Sequence, residues 1–189
     1  MEKIEDIFKQ KCLISNDINE HLPVLKKYTE DCDVVVEAGV RSIVSTWAFL
    51  AGKPKELISV DIIHPSTYIN HDPSGCNINL VEQLAHENDI NFRFMLGSTL
   101  EIEIPECDLL FLDTLHNYSQ LKKELELHSN KAKKYIILHD TESFKDKGET
   151  NNEDGIGRAL DEFLEEGNWV IRERLTNNNG LTILVPKNA

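Results

Sequence analysis

Two stretches hold the side chains best suited to chemistry. "DLLFLDTLHNY", residues 108–118, and "YIILHDT", residues 135–141, each run through an apolar segment and stop on an acid, Asp113 and Asp140. Runs of this kind read as strands, and if the two strands are neighbours their ends bring two carboxylates toward one point. Buried like charges need a cation, a shared proton or a hydrogen-bond network. A hard divalent ion such as Mg²⁺ or Ca²⁺ suits two carboxylates, with Thr141 or water filling further positions. His116, three residues after Asp113, is placed to take a proton near neutral pH; the plainer alternative is a helix-capping or surface imidazole. Strand alternation turns His139 to the side opposite Asp140, which makes it a packing residue and argues against both binding one ion.

A second group lies earlier in the chain. "DVVVEAGVRSIVST" places Glu37, Gly39, Ser45 and Thr46 around a strand-to-helix turn. There, a residue without Cβ lets a ligand approach the backbone, and a helix N-terminus offers free N–H donors. A lone glycine also fits a plain tight turn, and the glycine-rich dinucleotide fingerprint is missing, which disfavours pyrophosphate. Asp61 ends "LISVD", where an acid can accept from both hydroxyls of a ribose, although capping or solvation is the common role of an isolated acid. Glu37, Gly39 and Asp61, in that order along one βαβ unit, point to a nucleoside. Gly97, Ser98 and Thr99 follow the next run, "NFRFML".

The elements that must position these residues are legible as continuous apolar runs at 33–38, 57–63, 91–96, 108–113 and 135–140. Such runs are strands covered on both faces, as in a parallel sheet. Helical patterns separate them, at 42–51, around Ile78, Val81 and Ala85, around Leu121 and Leu125, and at 153–166. The alternation predicts a doubly wound α/β sheet with helices on both faces. The end of the chain breaks the rhythm, since "NWVIRERL", the turn "TNNNG" and "LTILVP" read as a hairpin of two antiparallel strands. Ile18, Leu22 and Leu25 mark one amphipathic helix before the first strand. Residues 1–189 are read as a single domain, with a helical segment at 1–30 and a core at 33–186. Loops 64–76 and 143–154 are the expected mobile ones.

Composition narrows the classes of function. The 189 residues carry 33 acidic and 20 basic side chains, a formal net charge of −13. That field repels nucleic acid and anionic lipid, so neither is an expected partner. The N-terminus lacks the apolar core of a signal peptide, and no run approaches the length of a membrane span, so the expected setting is cytoplasmic. Cys12, Cys32, Cys76 and Cys107 are scattered, without zinc-site spacing, and are read as reduced thiols.

Taken together these motifs resemble the class I S-adenosylmethionine-dependent methyltransferases across nearly the whole chain. "VVVEAGVRSIVST", "LISVDI", "FMLGST", "DLLFLDTLHNY" and "YIILHDT" are similar to the family's successive strand ends, and "NNNGLTIL" to its reversed last strand. The narrower resemblance is to small O-methyltransferases grouped with cephalosporin-hydroxylase-like and sugar O-methyltransferase proteins, often found in glycan biosynthesis. It implies a Rossmann-like, seven-stranded, mostly parallel sheet with an antiparallel last strand, and S-adenosylmethionine as cofactor. By the same resemblance Glu37, Gly39, Ser45 and Thr46 surround the methionine part, Asp61 the ribose, and Gly97, Ser98 and Thr99 the adenine. Asp113 sits beside the sulfonium. Asp113, Asp140 and Thr141 then occupy the positions of divalent-metal ligands and His116 that of a base. Thr141 replaces an amide ligand, and Ile43 stands where a further glycine is common. The function implied is O-methylation of a small hydroxylated molecule or sugar, with Mg²⁺ or another divalent cation as a candidate cofactor and a homodimer as a candidate assembly. A metal-dependent hydrolase using Asp113, His116 and Asp140, and a non-catalytic nucleoside-binding protein, are the alternatives.

Overall fold

The computed structural model describes residues 3–14, 17–68, 77–150 and 152–188. Its centre is a seven-stranded sheet of β1 (Val34–Ala38), β2 (Glu56–Asp61), β3 (Asn91–Leu96), β4 (Cys107–Leu112), β5 (Ala132–His139), β6 (Trp169–Leu175) and β7 (Leu181–Pro186). The order across the sheet is β3-β2-β1-β4-β5-β7-β6. The first five strands pair in parallel and β7 runs antiparallel to both β5 and β6. This is the doubly wound sheet with a reversed last strand that the apolar runs and the Asn-Gly turn predict. The strand order reverses beside β1, so the ends of β1 and β4 flank the crevice where ligands enter open α/β sheets.

The sheet is covered on both faces because its strands are apolar on both. Val35, Leu57, Leu109, Phe111 and Ile137 pack beneath α1 (Ile4–Ile14), α2 (Leu22–Thr29), α3 (Ser45–Gly52) and α4 (Ile78–Glu87). Val36, Ile58, Leu110, Leu112 and Leu138 face α5 (Tyr118–His128) and α6 (Ile156–Glu165). Every residue of α3 is buried, the pattern of a helix enclosed on all sides. It lies between the sheet and the N-terminal helices: Phe49 meets Phe111 edge-on at 5.3 Å, and a Cβ on Gly52 would stand 2.4 Å from Thr29 Cβ.

One expectation is corrected. The single N-terminal helix is two, because Pro23 opens a new first turn in α2, where its missing N–H and fixed φ are tolerated; Ile18 is buried between them. The described residues of the 143–154 loop carry backbone hydrogen bonds. Gly148 N donates to Glu153 O at 2.9 Å, Glu149 N to His116 O at 3.3 Å and Ile156 N to Phe144 O at 2.9 Å. The other loop, 64–76, lies outside the described residues from 69 onward, as does Cys76. The other three cysteines are free thiols. Among the described residues no helix is long and apolar enough to cross a membrane.

Candidate functional site

β1 must end in a turn that passes directly over the end of β4, and Gly39 makes this turn possible. Its φ is +88°, and a Cβ there would stand 1.8 Å from the Asp113 carbonyl oxygen. Two further residues of the same turn, Arg41 and Ile43, also have positive φ, +47° and +58°. Left-handed conformation costs a non-glycine residue roughly 1–3 kcal/mol and persists where surroundings enforce it. Here Ile43 is anchored by complete burial. The loop is also gripped by Asp61, whose carboxylate accepts from Val40 N at 2.8 Å and Arg41 N at 2.9 Å, and from Ile63 N at 2.8 Å.

Glu37 is fully buried behind this loop. Ser45 Oγ donates to it at 2.5 Å, Thr46 Oγ1 at 2.8 Å and Ser59 Oγ at 2.6 Å. Burial pushes its carboxyl up to about 7, against the pull of the three hydroxyls. Glu37 and Thr46 thus support the loop from behind, while Ser45 borders the cavity in front. Ser59 has no counterpart in the sequence reading; a serine in the apolar run "LISVD" is its only signal.

The cavity, about 610 Å³, opens at the ends of β1, β4 and β5. Its lining combines a loop wall, Gly39, Arg41 and Ser45, with an adjoining acid wall, Asp113, His116 and Asp140, and α1 contributes the buried Lys11. The size is ordinary for a small-molecule site.

On the second wall the two predicted acids do converge. His116 Nε2 lies 2.9 Å from Asp140 Oδ2 and 3.2 Å from Asp113 Oδ1, and its Nδ1 lies 2.9 Å from Glu149 Oε2. The ring stacks on Phe144 with centroids 4.7 Å apart. Burial lowers the His116 pKa, but the two carboxylates outweigh it and hold the imidazole up at about 10. In return, Asp113 and Asp140 fall below the usual carboxylate range: burial raises both, and His116 and His139 overcome it.

His139 is where the structure departs most from the alternation argument. Leu112 pairs with Leu138, so one step further His139 stands beside Asp113 on the same side. Asp140 is already beyond the strand, at φ +59°, and this left-handed turn brings its carboxylate back toward His139. His139 Nδ1 lies 3.5 Å from both Asp113 Oδ1 and Asp140 Oδ2. Neither of its ring nitrogens has a hydrogen-bond partner, although the residue is buried. Donor atoms of Asp113, His139 and Asp140 all lie within 4.8 Å of one another, close enough for one metal ion.

Other predicted residues are engaged elsewhere. Thr141 shares a 3.0 Å hydrogen bond with Thr182 of β7. Thr99 donates at 2.5 Å to Glu124, a buried acid on α5 that Thr114 and Gln120 also reach, each at 2.8 Å. Ser98 Oγ accepts from Leu100 N at 3.2 Å. Asp61, Gly97, Ser98 and Thr99 do not line the cavity formed by the described residues. The role of Glu124 is hidden in sequence by "LKKELELH", where it looks like one more solvated charge.

No protein-family model and no curated protein matches the sequence. Solved structures do match. The S-adenosylhomocysteine-bound methyltransferase PaMTH1 of Podospora anserina superposes with a TM-score of 0.63 at 15% identity, covering 97% of this chain and 87% of that one. A Staphylococcus aureus protein provisionally assigned as a caffeoyl-CoA O-methyltransferase gives 0.69 at 15%, covering 98% and 93%. The O-methyltransferase of Bacillus cereus, bound to S-adenosylhomocysteine, gives 0.58 at 15%, covering 97% and 89%. With these proteins the chain shares one fold, the seven-stranded fold of methyltransferases, over nearly its whole length.

Proposed function

We propose that the chain is an S-adenosylmethionine-dependent O-methyltransferase acting on a small hydroxylated molecule or sugar. The observation that carries this reading is one cavity lined both by the Gly39–Ser45 loop and by Asp113, His116 and Asp140. Methyl transfer is an in-line displacement at a sulfonium carbon, so the protein must chiefly hold donor and acceptor in line and ease the loss of the acceptor's proton. A loop for the donor facing a titratable cluster for the acceptor meets both needs. The fold shared with structures bound to S-adenosylhomocysteine supports it.

In this reading Gly39, Ser45 and the loop backbone take the methionine part, Asp61 the ribose, and the Gly97–Thr99 turn the adenine, with Asp113 beside the sulfonium. Glu37 and Thr46 act by fixing the loop. Asp113 and Asp140 are the residues that would hold a divalent cation, and the unpartnered nitrogens of buried His139 fit a cation there. Such an ion, when bound, lowers the pKa of an acceptor hydroxyl. Against burial, the two carboxylates raise the His116 pKa and so favour its protonated form. His116 accepts a proton from the acceptor only when those carboxylates are shared with another positive charge.

The narrower resemblance supports an acceptor in glycan biosynthesis, and the charge of −13 supports a cytoplasmic setting without nucleic acid or membrane partners. Leu13 and Ile14, exposed at the end of α1 beside the cavity, support a homodimer in which a second subunit completes the acceptor side. Calorimetry with S-adenosylmethionine and S-adenosylhomocysteine tests the function. Binding is expected in wild type and mostly lost in Asp61→Ala; no binding at millimolar ligand refutes the reading. Methyl transfer unchanged in His116→Ala would remove His116 as the base.

A further inference from the structure

We infer that the cation site selects a first-row transition-metal ion, Mn²⁺, Fe²⁺, Co²⁺ or Zn²⁺, over Mg²⁺, because its third protein donor is the imidazole Nδ1 of His139. This rests on the reading that Asp113 and Asp140 bind a divalent cation, and changes its chemistry from an all-oxygen set to a mixed one.

His139 is 2% exposed and neither ring nitrogen makes a hydrogen bond. A buried polar group without a partner is costly and calls for a cause. Its Nδ1 is 3.5 Å from one oxygen of each acid. That is long for an N–H···O bond. It is the right length for two ligands of one ion, since donors about 2.1 Å from a tetrahedral centre stand about 3.4 Å apart. The ring is also held in place. Its backbone pairs with Leu181 on β7, and buried His21 packs edge-on against it at 5.4 Å. The oxygen that would complete an all-oxygen set, Thr141 Oγ1, is bonded to Thr182 instead.

Imidazole nitrogen is a better donor to the first-row transition ions, least to Mn²⁺ and more along the series, whereas Mg²⁺ demands oxygen donors in a near-ideal octahedron. His116 is a different kind of neighbour. It reaches the same two oxygens with Nε2, but is held at Nδ1 by the exposed Glu149 and stacked on Phe144.

The test uses the full chain stripped of metal and titrated separately with Mn²⁺ and Mg²⁺. Mn²⁺ is expected to bind at least about tenfold more tightly than Mg²⁺. Pulsed electron paramagnetic resonance of the Mn²⁺-loaded protein should show a directly coordinated ¹⁴N. That signal should persist in His116→Gln and vanish in His139→Gln, with Mn²⁺ affinity falling at least about tenfold in the latter. Equal Mn²⁺ and Mg²⁺ affinities, no ¹⁴N coupling, or a coupling that vanishes with His116 instead, would each overturn the inference. If His139→Gln does not fold, His139→Asn and the wild-type coupling decide it. Calorimetry with S-adenosylhomocysteine in the presence of chelator keeps the two readings apart: binding there, without a nitrogen-bound metal, leaves the methyltransferase standing and removes only the metal assignment.

Discussion

The two walls of the cavity each bury carboxylate and balance it in opposite ways. Glu37 is surrounded by three hydroxyls, which donate hydrogen bonds but bring no charge, and its carboxyl rises to about 7. Asp113 and Asp140 are met by two imidazoles, and both are pulled down. Burial alone would raise all three. The partner therefore decides the direction: hydroxyls leave the desolvation cost largely in place, while cations overcome it. The difference separates roles. That contrast matches the roles proposed above, Glu37 as a strut behind the loop and Asp113 with Asp140 as the pair that would take a cation.

The largest expected effect comes from the residue that joins the walls. Gly39→Ala drives a Cβ into the Asp113 carbonyl and should cost about 3 kcal/mol or more, read as a fall in urea midpoint, because backbone cannot yield as a side chain can.

Next is the pH dependence, where the walls should differ in sign. For Glu37 the folded pKa of about 7 lies above the ordinary 4.5. Its protonated form is favoured by folding, so stability present below pH 4.5 is lost as pH rises to 7, by about 3 kcal/mol at most. Glu37→Gln should flatten that limb of a melting-temperature profile. Asp113 and Asp140, with lowered pKa values, contribute stability above their ordinary range and lose it as pH falls. His116 and His139, raised from 6.5 to about 10, contribute below 6.5 and lose it toward 10. Asp140→Asn should therefore shrink the alkaline loss and leave the Glu37 limb intact; a profile in which either variant alters both limbs would merge the two walls into one unit.

Ser59→Ala removes one hydroxyl from Glu37 and should cost about 1–2 kcal/mol in chemical denaturation, with the Glu37 limb moving to higher pH. The smallest effect is expected at Arg41. Glycine there relieves a left-handed φ and gives up only an exposed ion pair with Asp17, so Arg41→Gly should raise the urea midpoint by the equivalent of about 0.5–1 kcal/mol. A loss of stability would show that Asp17 holds the loop more firmly than its exposure suggests.

Much of this was legible in the sequence, for reasons that also mark where legibility ends. Continuous apolar runs require two-sided burial, which gave the sheet, and adjacent β4 and β5 bring Asp113 and Asp140 together. The Asn-Gly turn gave the reversed β7. What sequence could not show is where a short side chain turns once the chain leaves regular structure. Alternation was carried one residue past the end of β5, and the left-handed Asp140 reversed its conclusion for His139. Ser45, Thr46 and Thr99 sit where a ligand's neighbours should sit, yet their hydroxyls go to Glu37 and Glu124. Those pairings join different elements, eight to 25 residues apart, and no local pattern encodes them.

The enclosure of α3 has a consequence for how the chain can be divided. A helix buried on every residue has no face prepared for water, and α1 and α2 supply the cover on the side away from the sheet. α1 and α2 are thus the cover that α3 requires. A chain cut to begin at Asp33 would keep every strand together with Asp113, Asp140 and Glu149, lose Asp17 from the cavity lining, and still present a naked apolar helix immediately behind the Gly39–Ser45 loop. Aggregation, rather than a weaker enzyme, is the outcome that such a cut should produce.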